Sequence, residues 1–254
     1  MTEMVNIICM KWGTKYGSEY VNVLKRMVAR NLKRPHRFVC FTERPEGLEE
    51  GIEEGIEVFP LPECNTPNRP EIQAWRKISL FRPGIGNLVG PTMFLDLDVA
   101  ITGSLDEFFD YEPGKFCIIH NWTHPDRRVG NSSVFRFEPG KYSYVFDEYN
   151  QDPDKVANEN RNEQIYVTAR IDARDGAVWW PAEWCKSFMK HAMPTRWLRL
   201  FVPSKLPEGC RILVFHGDPN PPESIYKWNY GRRKLLTPWG KFMRPARWVA
   251  EYWR

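Results

Sequence analysis

The sequence lacks long hydrophobic runs and any pattern that would pair its cysteines. No apolar stretch approaches the roughly eighteen residues of a membrane-crossing helix. The first residues carry no basic region followed by an apolar core, so we also expect no signal peptide. The six cysteines are scattered singly, and Cys9, Cys40 and Cys117 fall inside apolar runs. This favours buried free thiols in a reducing cytoplasm over a disulfide framework.

Most of the chain has almost no net charge. The net charge is +4 over 254 residues. The segment 223–254 holds eight Lys or Arg against two Glu, a net +6, which leaves −2 for the preceding 222 residues. Internal repeats and low-complexity segments are also lacking. We therefore predict one globular domain at 1–222 and a basic, Trp-rich tail at 223–254.

Apolar runs alternate with amphipathic stretches, which predicts a single-domain α/β fold. The run V-N-I-I-C-M at Val5–Met10 is nearly all apolar, as in a strand buried on both faces. The alternation predicts a central, mainly parallel mixed sheet flanked by helices, with ligands at the carboxyl ends of its strands. The predicted strands are Val5–Met10, His36–Thr42, Ile56–Leu61, Thr92–Leu95, Lys115–Ile119, Ser133–Phe137, Val178–Pro181 and Arg211–Phe215. The predicted helices are Ser18–Asn31, Glu71–Leu80, Pro139–Tyr149 and Arg161–Thr168.

Two acids, Asp96 and Asp98, directly follow the apolar strand Thr92–Leu95. Residues two apart in extended backbone point to the same face, so we expect the two carboxylates to converge. Mg²⁺ or Mn²⁺ binds such carboxylates and completes its coordination with phosphate oxygens and water. The alternative is a pair of solvated acids that caps the next turn.

Four short motifs carry a family resemblance. They are M-F-L-D-L-D-V-A-I, Asn131-Ser132-Ser133-Val134, Glu163-Gln164, and F-H-G-D-P-N-P with His216. In this order they resemble the "Y-L-D-x-D", "N-x-G-V", "D-Q" and "H-x-x-G-x-x-K-P-W" elements of GT-A fold nucleotide-sugar glycosyltransferases, especially glycosyltransferase family 8 and its bacterial relatives. The resemblance covers about residues 5 to 222. Glu163 replaces an Asp, Ser133 replaces a Gly, and the late Lys-Pro-Trp is missing, which leaves the donor sugar open.

The resemblance implies a metal-dependent, retaining hexosyltransferase of polysaccharide biosynthesis. Its donor would be a nucleotide diphosphate sugar, with a UDP-sugar favoured, and its acceptor a glycan or a lipid-linked glycan. Residues 1–110 would bind the nucleotide and residues 111–222 the acceptor. It implies Mn²⁺ or Mg²⁺ held by Asp96, Asp98 and His216, where the ion neutralises the departing diphosphate. For His216 alone, a structural histidine beside a glycine turn is the alternative.

Glu163 and Gln164 are the catalytic candidates, because the resemblance places them facing the transferred sugar. The alternative for both is a helix start. In a retaining enzyme the acceptor attacks on the face of the leaving group, and the departing phosphate can take its proton. An inverting enzyme needs a carboxylate to deprotonate the acceptor, and Glu163 or Asp126 would supply it.

Residue chemistry suggests further contacts to the donor. Arg76 or Lys77 would add positive charge at the diphosphate, unless both belong to a solvated helix face. Trp12 or Tyr16 would stack on the nucleotide base, unless the ring merely covers the first helix. Asn131 would bind sugar hydroxyls, unless it is a turn residue. The donor-binding candidates are Cys9, Lys11, Trp12, Tyr16, Arg76, Lys77 and Asn131.

The tail combines tryptophan with basic residues. Such residues favour anionic lipid headgroups, so one interpretation is peripheral attachment to the inner face of a membrane. The other interpretation is a helix packed on the body with its tryptophans buried. We expect no nucleic-acid partner, because nothing else resembles a nucleic-acid module. The tail residues concerned are Trp228, Trp239, Trp248, Trp253, Arg232, Arg233, Lys234, Lys241, Arg244, Arg247 and Arg254.

Other functions fit the sequence less well. A haloacid dehalogenase-type phosphatase places its acids on the first strand, whereas here about ninety residues precede them. A nucleotidyltransferase needs a Gly-rich basic loop after the first strand, and Lys11–Gly17 lacks a convincing one. Zinc at Cys117, His120 and His124 would lack a fourth nearby ligand, and we expect His120, Trp122 and His124 to line an acceptor loop instead. A non-catalytic sugar-binding protein of the same fold stays open.

Overall fold

The computed structural model describes residues 3–48, 55–68, 73–199, 201–228 and 242–254. They form two units, each with its own sheet. Unit 1 comprises Met1–Val21, Arg34–Leu97 and Phe108–Trp180, and unit 2 comprises Asn22–Lys33, Asp98–Glu107 and Pro181–Arg254.

The regular elements alternate between strands and helices along the chain. The strands are β1 (Val5–Lys11), β2 (His36–Thr42), β3 (Glu57–Phe59), β4 (Thr92–Leu95), β5 (Val99–Ile101), β6 (Cys117–His120), β7 (Gly130–Phe137), β8 (Val178–Trp179), β9 (Cys185–Ser187) and β10 (Ile212–Val214). The α-helices are α1 (Ser18–Asn31), α2 (Asp106–Asp110), α3 (Ser143–Gln151), α4 (Pro153–Glu159), α5 (Glu163–Arg174), α6 (Pro221–Tyr226) and α7 (Val249–Tyr252). Short 3₁₀ helices span Gln73–Phe81, Ile85–Asn87 and Arg196–Leu198, and a π-helix spans Phe188–Ala192.

Unit 1 is built on a seven-stranded sheet in the order β3-β2-β1-β4-β7-β6-β8. β1 pairs in parallel with β2 and β4, and all seven of its residues are buried, as its apolar sequence predicts. β7 pairs antiparallel with both β4 and β6. The predicted α/β class with a mainly parallel mixed sheet is confirmed.

One face of this sheet carries an aromatic core. Trp75, Ile78 and Phe81 lie on the 3₁₀ helix Gln73–Phe81 and belong to the same buried cluster. A 3₁₀ helix has three residues per turn, so side chains three apart align. Trp75 stacks on Tyr149 of α3 at 5.5 Å between ring centroids, which ties this segment to the helices that cover the sheet.

Unit 2 is built on a three-stranded sheet in the order β5-β10-β9. β10 pairs antiparallel with β5 and parallel with β9. β5 follows Asp98 and β10 precedes His216, so this ladder brings the two chain segments together. The sequence predicted β10, but it did not predict β5 or β9, since strands of three residues are too short to show a period of two.

Several predicted boundaries were wrong. The segment predicted as a helix from Glu71 is a 3₁₀ helix from Gln73 to Phe81 in the described residues. The helix predicted from Pro139 begins at Ser143. The helix predicted at Arg161–Thr168 begins at Glu163, because the Asn162 side chain accepts a hydrogen bond from the Ile165 backbone N–H at 3.1 Å and caps it there.

The described part of the predicted tail packs within unit 2. Met243, Ala246 and Val249 are buried, and the Trp248 indole N–H contacts the backbone oxygen of Ser204 at 3.0 Å. Trp239, Arg232, Arg233, Lys234 and Lys241 lie outside the described residues. The domain boundary at 222/223 stays a prediction. Within the described residues, no helix combines the length and apolar character that a membrane crossing demands.

Gly130 sets how closely α5 approaches β7. A Cβ on Gly130 would lie 2.5 Å from Ile118 Cδ1 and 2.7 Å from Thr168 Oγ1. The Gly130 backbone N–H donates to Thr168 Oγ1 at 3.0 Å, and Thr168 lies on α5. A side chain at position 130 would therefore force Ile118 or Thr168 to move.

Candidate active site

The two acids lie where the chain leaves the larger sheet. β4 ends at Leu95, and Leu97 and Asp98 form a turn before β5. The expectation of extended backbone through Asp98 is therefore wrong, and strand alternation does not set the directions of the two carboxylates. The Asp96 backbone N–H donates to the Ser133 carbonyl at 2.9 Å, which continues the pairing of β4 with β7. The Asp98 side chain is buried and that of Asp96 is half-buried.

Lys77 neutralises Asp96 inside unit 1. Its ammonium lies 2.7 Å from Oδ1 and 2.8 Å from Oδ2 of Asp96, and 3.4 Å from the carbonyl oxygen of Ser132. Lys77 is buried, and its ammonium also lies 5.1 Å from the centre of the Phe94 ring. A buried carboxylate without such a partner would be strongly destabilising. Lys77 therefore supplies the positive charge that compensates the Asp96 carboxylate.

Glu163 and Gln164 approach the same corner from the first turn of α5. The Ser132 hydroxyl donates to Glu163 Oε1 at 2.7 Å, and the Ser132 backbone N–H donates to Gln164 Oε1 at 3.3 Å. Burial raises the pKa of Glu163 above its ordinary value, although the Lys77 charge and the Ser132 hydrogen bond oppose this shift. Unit 1 thus gathers a lysine, an ion-paired aspartate, a serine and a buried glutamate from four separate elements.

An irregularity in β7 exposes the backbone of Ser132 to these groups. β6 and β7 pair as Ile118 with Phe135 and then as Ile119 with Asn131, so the register shifts between the two isoleucines. The segment 132–134 is thereby displaced from its pairing with β6. Such bulges often occur beside active sites, where they redirect side chains. The Asn131 side chain accepts from the Ser133 backbone N–H at 3.1 Å, which stabilises the strand at this irregularity.

The predicted donor-binding residues near β1 lie in different surroundings. Lys11 is buried and donates to the Arg44 carbonyl at 3.0 Å, and Cys9 is buried next to its register partner Cys40. Trp12 packs partly buried against the aromatic core. Tyr16 lies on the Tyr20 ring, with 4.7 Å between centroids. Trp12 and Tyr16 therefore keep part of their surface exposed, whereas the Cys9 side chain belongs to the sheet.

Arg76 and Lys77 interact with different residues. Lys77 contacts Asp96, whereas the charge of Arg76 acts on the thiol of Cys64 and opposes the rise that burial causes in the Cys64 pKa, to about 11. A separate cleft of about 420 Å³ lies beside β3, lined in part by Phe41, Phe59 and Arg82. None of the predicted donor-binding residues lines this cleft.

In unit 2, the strand pairing delivers His216 next to the second acid. Val99 pairs with Val214, and the Phe215 backbone N–H then donates to the Asp98 carbonyl at 2.9 Å. His216 follows directly in the chain, so its backbone lies near that of Asp98 within unit 2. The role of the two residues as metal ligands stays a prediction.

Ser187 fixes the His216 ring. The Ser187 hydroxyl lies 2.7 Å from His216 Nε2, and its oxygen accepts from the Lys190 backbone N–H at 3.2 Å. The Ser187 backbone N–H donates to His191 Nδ1 at 2.9 Å, so the first turn of the π-helix closes around this serine. Burial lowers the pKa of His216, and the positive charge of Lys190 lowers it further. Both effects favour the neutral imidazole, which is the form that can ligate a metal.

The donor set suits a divalent ion in type, but the side chains are not assembled around one point. Two carboxylates and a neutral imidazole are ligands that Mn²⁺ accepts, and Mg²⁺ accepts the carboxylates. Among the described residues, no three His, Cys, Asp or Glu side chains are grouped closely enough to hold a metal. Asp96 is engaged by Lys77, and His216 Nε2 by Ser187. The ligand assignment stays a prediction.

The residues considered for zinc or acceptor binding lie on β6, which contains Cys117 and His120, and in the loop after it, which contains His124. His120 packs against Trp179, with 4.8 Å between ring centroids, and its Nε2 lies 2.8 Å from the Arg127 carbonyl oxygen. Cys117 is buried, and burial raises its pKa to about 11. These residues make separate contacts, and the acceptor role of the loop stays a prediction.

Sequence reasoning missed two serine hydroxyl groups that hold candidate site residues in place, one in each unit. Ser132 binds the catalytic candidate Glu163, and Ser187 binds His216. Serine carries no spacing signal of its own, so only the Asn131-Ser132-Ser133 motif pointed to one of them. Lys190 and His191 were missed because the π-helix has no recognisable sequence pattern.

Comparison with known proteins identifies the fold. No family model matches the chain, and no curated protein matches it in sequence. Among solved structures, the galactosyltransferase LgtC in complex with donor and acceptor sugar analogs matches with a TM-score of 0.60, at 13% identity over 97% of this chain and 94% of that one. An active-site mutant of LgtC matches with the same TM-score and coverage at 14% identity. At this identity the match establishes the fold alone, which is the GT-A fold that the motifs predicted.

Proposed function

We propose that this protein is a glycosyltransferase that moves a hexosyl group from a nucleotide diphosphate sugar, with a UDP-sugar favoured, to a hydroxyl of a glycan or lipid-linked glycan. The observation that carries the proposal is the buried group of Lys77, Asp96, Ser132 and Glu163 at the carboxyl end of β4. Ligands of α/β sheets bind at this end of the strands. The six free thiols favour a reducing cytoplasm, where we place a role in polysaccharide biosynthesis.

A divalent ion, Mn²⁺ or Mg²⁺, belongs to this proposal. Asp96, Asp98 and His216 would hold it, and when bound it would supply Lewis-acid neutralisation of the leaving diphosphate. Asp96 would then share its carboxylate between the ion and Lys77. His216 would have to exchange the contact of its Nε2 with Ser187 for the ion if it binds through that nitrogen.

The chain's own residues would position donor and acceptor. Lys77 would hold its charge beside the diphosphate, and Trp12 or Tyr16 would stack on the base. Glu163 and Gln164 would face the transferred sugar, and Asn131 would bind its hydroxyls. Retention follows from the family resemblance, and in a retaining reaction the departing phosphate can take the proton of the acceptor. Cys9, Lys11 and Arg76 would complete the donor side.

Calorimetric titration with UDP-glucose, UDP-galactose and GDP-mannose, each with and without Mn²⁺, tests the proposal. We expect a UDP-sugar to bind, Mn²⁺ to strengthen binding at least tenfold, and slow release of UDP by hydrolysis to follow. Asp98→Asn should abolish the Mn²⁺ effect while the protein melts near its original temperature. If no nucleotide sugar binds under any of these conditions, the transferase proposal fails.

The Lys77–Asp96 ion pair also favours a second candidate, a non-catalytic sugar-binding protein of the same fold. Both oxygens of Asp96 are already engaged by an ammonium, which would provide a permanent cation at the site. Metal-independent binding of a nucleotide sugar with no release of UDP would support this candidate against the enzyme.

A further inference from the structure

The cleft beside β3, which we call the β3 cleft, is lined by apolar side chains together with one arginine and one glutamate. All of its lining residues belong to unit 1. The rings of Phe41 and Phe59 lie 6.1 Å apart between centroids, and Leu61 and Ile85 add aliphatic surface. Its volume of about 420 Å³ and its mainly apolar lining are those of a small-molecule site.

A single guanidinium group joins two sides of the β3 cleft. Arg37 donates to both carboxylate oxygens of Glu57 on β3, at 2.8 and 2.7 Å, and to the carbonyls of Gly86 and Asn87, at 3.1 and 3.0 Å. Such a bidentate pair fixes geometry as well as charge. Gly86 also lies so close to Phe41 that a Cβ would be 2.9 Å from the Phe41 Cζ. The two sides are therefore held in place before a ligand binds, which lowers the cost of binding.

The two charged residues of the β3 cleft compensate each other. Arg82 Nη1 lies 3.6 Å from Glu63 Oε2, and the two side chains are 42% and 92% exposed. This distance is longer than the roughly 2.7–2.9 Å of a strong charge-assisted hydrogen bond, so both groups can exchange their contact for a ligand. Because the charges cancel, the cleft offers donors and acceptors without favouring a ligand of either sign.

We propose that the β3 cleft binds a neutral sugar unit of a glycan. A hexose ring carries C–H groups on its faces and hydroxyls around its edge. The partly buried side chains of Phe59 and Leu61 would cover the C–H face, and Arg82 and Glu63 would hydrogen-bond to the hydroxyls. An aromatic anion would also use the rings, but its charge would then lie beside the Glu63 carboxylate. A neutral polyhydroxylated ligand therefore fits both the apolar lining and the charges.

This inference deepens the proposed function and rests on it for the identity of the glycan, which would be the acceptor. None of the candidate metal ligands, catalytic residues or donor-binding residues lines the β3 cleft. The cleft would therefore hold a sugar unit away from the reacting end of the acceptor. A glycan long enough to occupy both places would bind more tightly than a single sugar, because its second contact is intramolecular.

Saturation-transfer NMR and calorimetric titration of the full-length protein with maltohexaose, cellohexaose and galactohexaose test the cleft without any donor. We expect at least one of these neutral oligosaccharides to bind with a millimolar Kd that added salt does not change. Phe59→Ala should weaken this binding at least tenfold, because it removes a ring that contacts the sugar. The matched control is Phe146→Ala, which removes a partly buried ring packed against the same core but outside the cleft, and it should bind like the wild type.

The charged pair gives a test that does not disturb the core. Glu63→Gln and Arg82→Gln should each weaken oligosaccharide binding several-fold and keep the melting temperature of the wild type, since both side chains lie at the surface. For an anionic ligand, Glu63→Gln would instead strengthen binding.

Three results would each overturn the proposal. They are absence of binding by all three oligosaccharides, equal binding by the Phe59→Ala and Phe146→Ala variants, and tighter binding of phenyl phosphate than of any oligosaccharide in the cleft. Binding of the UDP-sugar is measured separately and should be unchanged in Phe59→Ala. A failure of the cleft is thereby distinguished from a failure of the transferase proposal.

Discussion

The two units treat charge and apolar surface in opposite ways. Unit 1 encloses its charged groups, since Lys77, Asp96 and Glu163 lie buried or half-buried against a seven-stranded sheet. Unit 2 has a smaller sheet, and it exposes large aromatic side chains such as Trp197 and Phe201. A wide sheet covered by helices can desolvate charges and hold them in fixed geometry. A three-stranded sheet offers less interior, and its unit leaves large apolar side chains exposed.

The largest effect should come from the enclosed ion pair. Lys77→Met leaves the Asp96 carboxylate without its cation, and we expect a loss of about 2–4 kcal/mol in the free energy of unfolding, since Asp96 keeps some exposure. Urea denaturation measures it. The matched control, Lys155→Met on α4, removes an exposed lysine and should change stability by less than about 0.5 kcal/mol.

A double variant sharpens this test. Lys77→Met with Asp96→Asn leaves no unpaired charge, so it should lose less stability than Lys77→Met alone. If the single variant behaves like the Lys155→Met control, then the charges of unit 1 are not enclosed in the sense described above, and the contrast between the units fails.

A smaller effect is expected in unit 2. Ser187→Ala removes a buried hydroxyl that contacts His216 Nε2 and the Lys190 backbone N–H. The expected loss is about 1–2 kcal/mol by urea denaturation, because both partners then lack their hydrogen bond. Thr14→Ala, at an exposed position of unit 1, serves as the control. A loss as large as that of Lys77→Met would show that unit 2 depends on enclosed polar groups just as unit 1 does.

The smallest effect is a difference in pH dependence between the two units. The pKa of Glu163 is raised in the folded protein, so its contribution to stability is full below its unfolded value near 4.5 and is lost as pH rises. The pKa of His216 is lowered, so its contribution is present above 6.5 and is lost as pH falls. Glu163→Gln should therefore gain stability relative to the wild type as pH rises from 4.5 to 8.

The His216→Asn variant should show the opposite trend. Its deficit relative to the wild type should shrink as pH falls below 6.5. Denaturation series at constant ionic strength measure both curves. Parallel curves for the two variants would contradict the assigned environments of the glutamate and the histidine.

The sequence predicted elements wherever the pattern was long enough. Strand β4 begins and ends at the predicted residues, because a β-branched residue and three apolar residues lie between a proline and an acid. The 3₁₀ helix that carries Lys77 was predicted as part of an α-helix, since three-residue and 3.6-residue periods are indistinguishable over nine residues. Strands β5 and β9 were missed because three residues show no alternation.

The candidate site was predictable only in its charged members. Asp96, Asp98 and Glu163 stand out by position in the chain, and Lys77 was named among the cations. That Lys77 rather than Arg76 meets Asp96 depends on the phase of the 3₁₀ helix, which the sequence does not reveal. The register shift in β7 depends on packing against β6, so the contact between Ser132 and Glu163 could not be foreseen.

Gly130 has a consequence for mutational surveys of this chain. A larger residue there would force Ile118 or Thr168 to move, and Thr168 lies on α5 together with Glu163, although position 130 need never touch a ligand. A screen for activity would score this glycine as essential, whereas a ligand-contact map would omit it. The activity screen and the contact map would disagree because the role of Gly130 is to leave room for its neighbours.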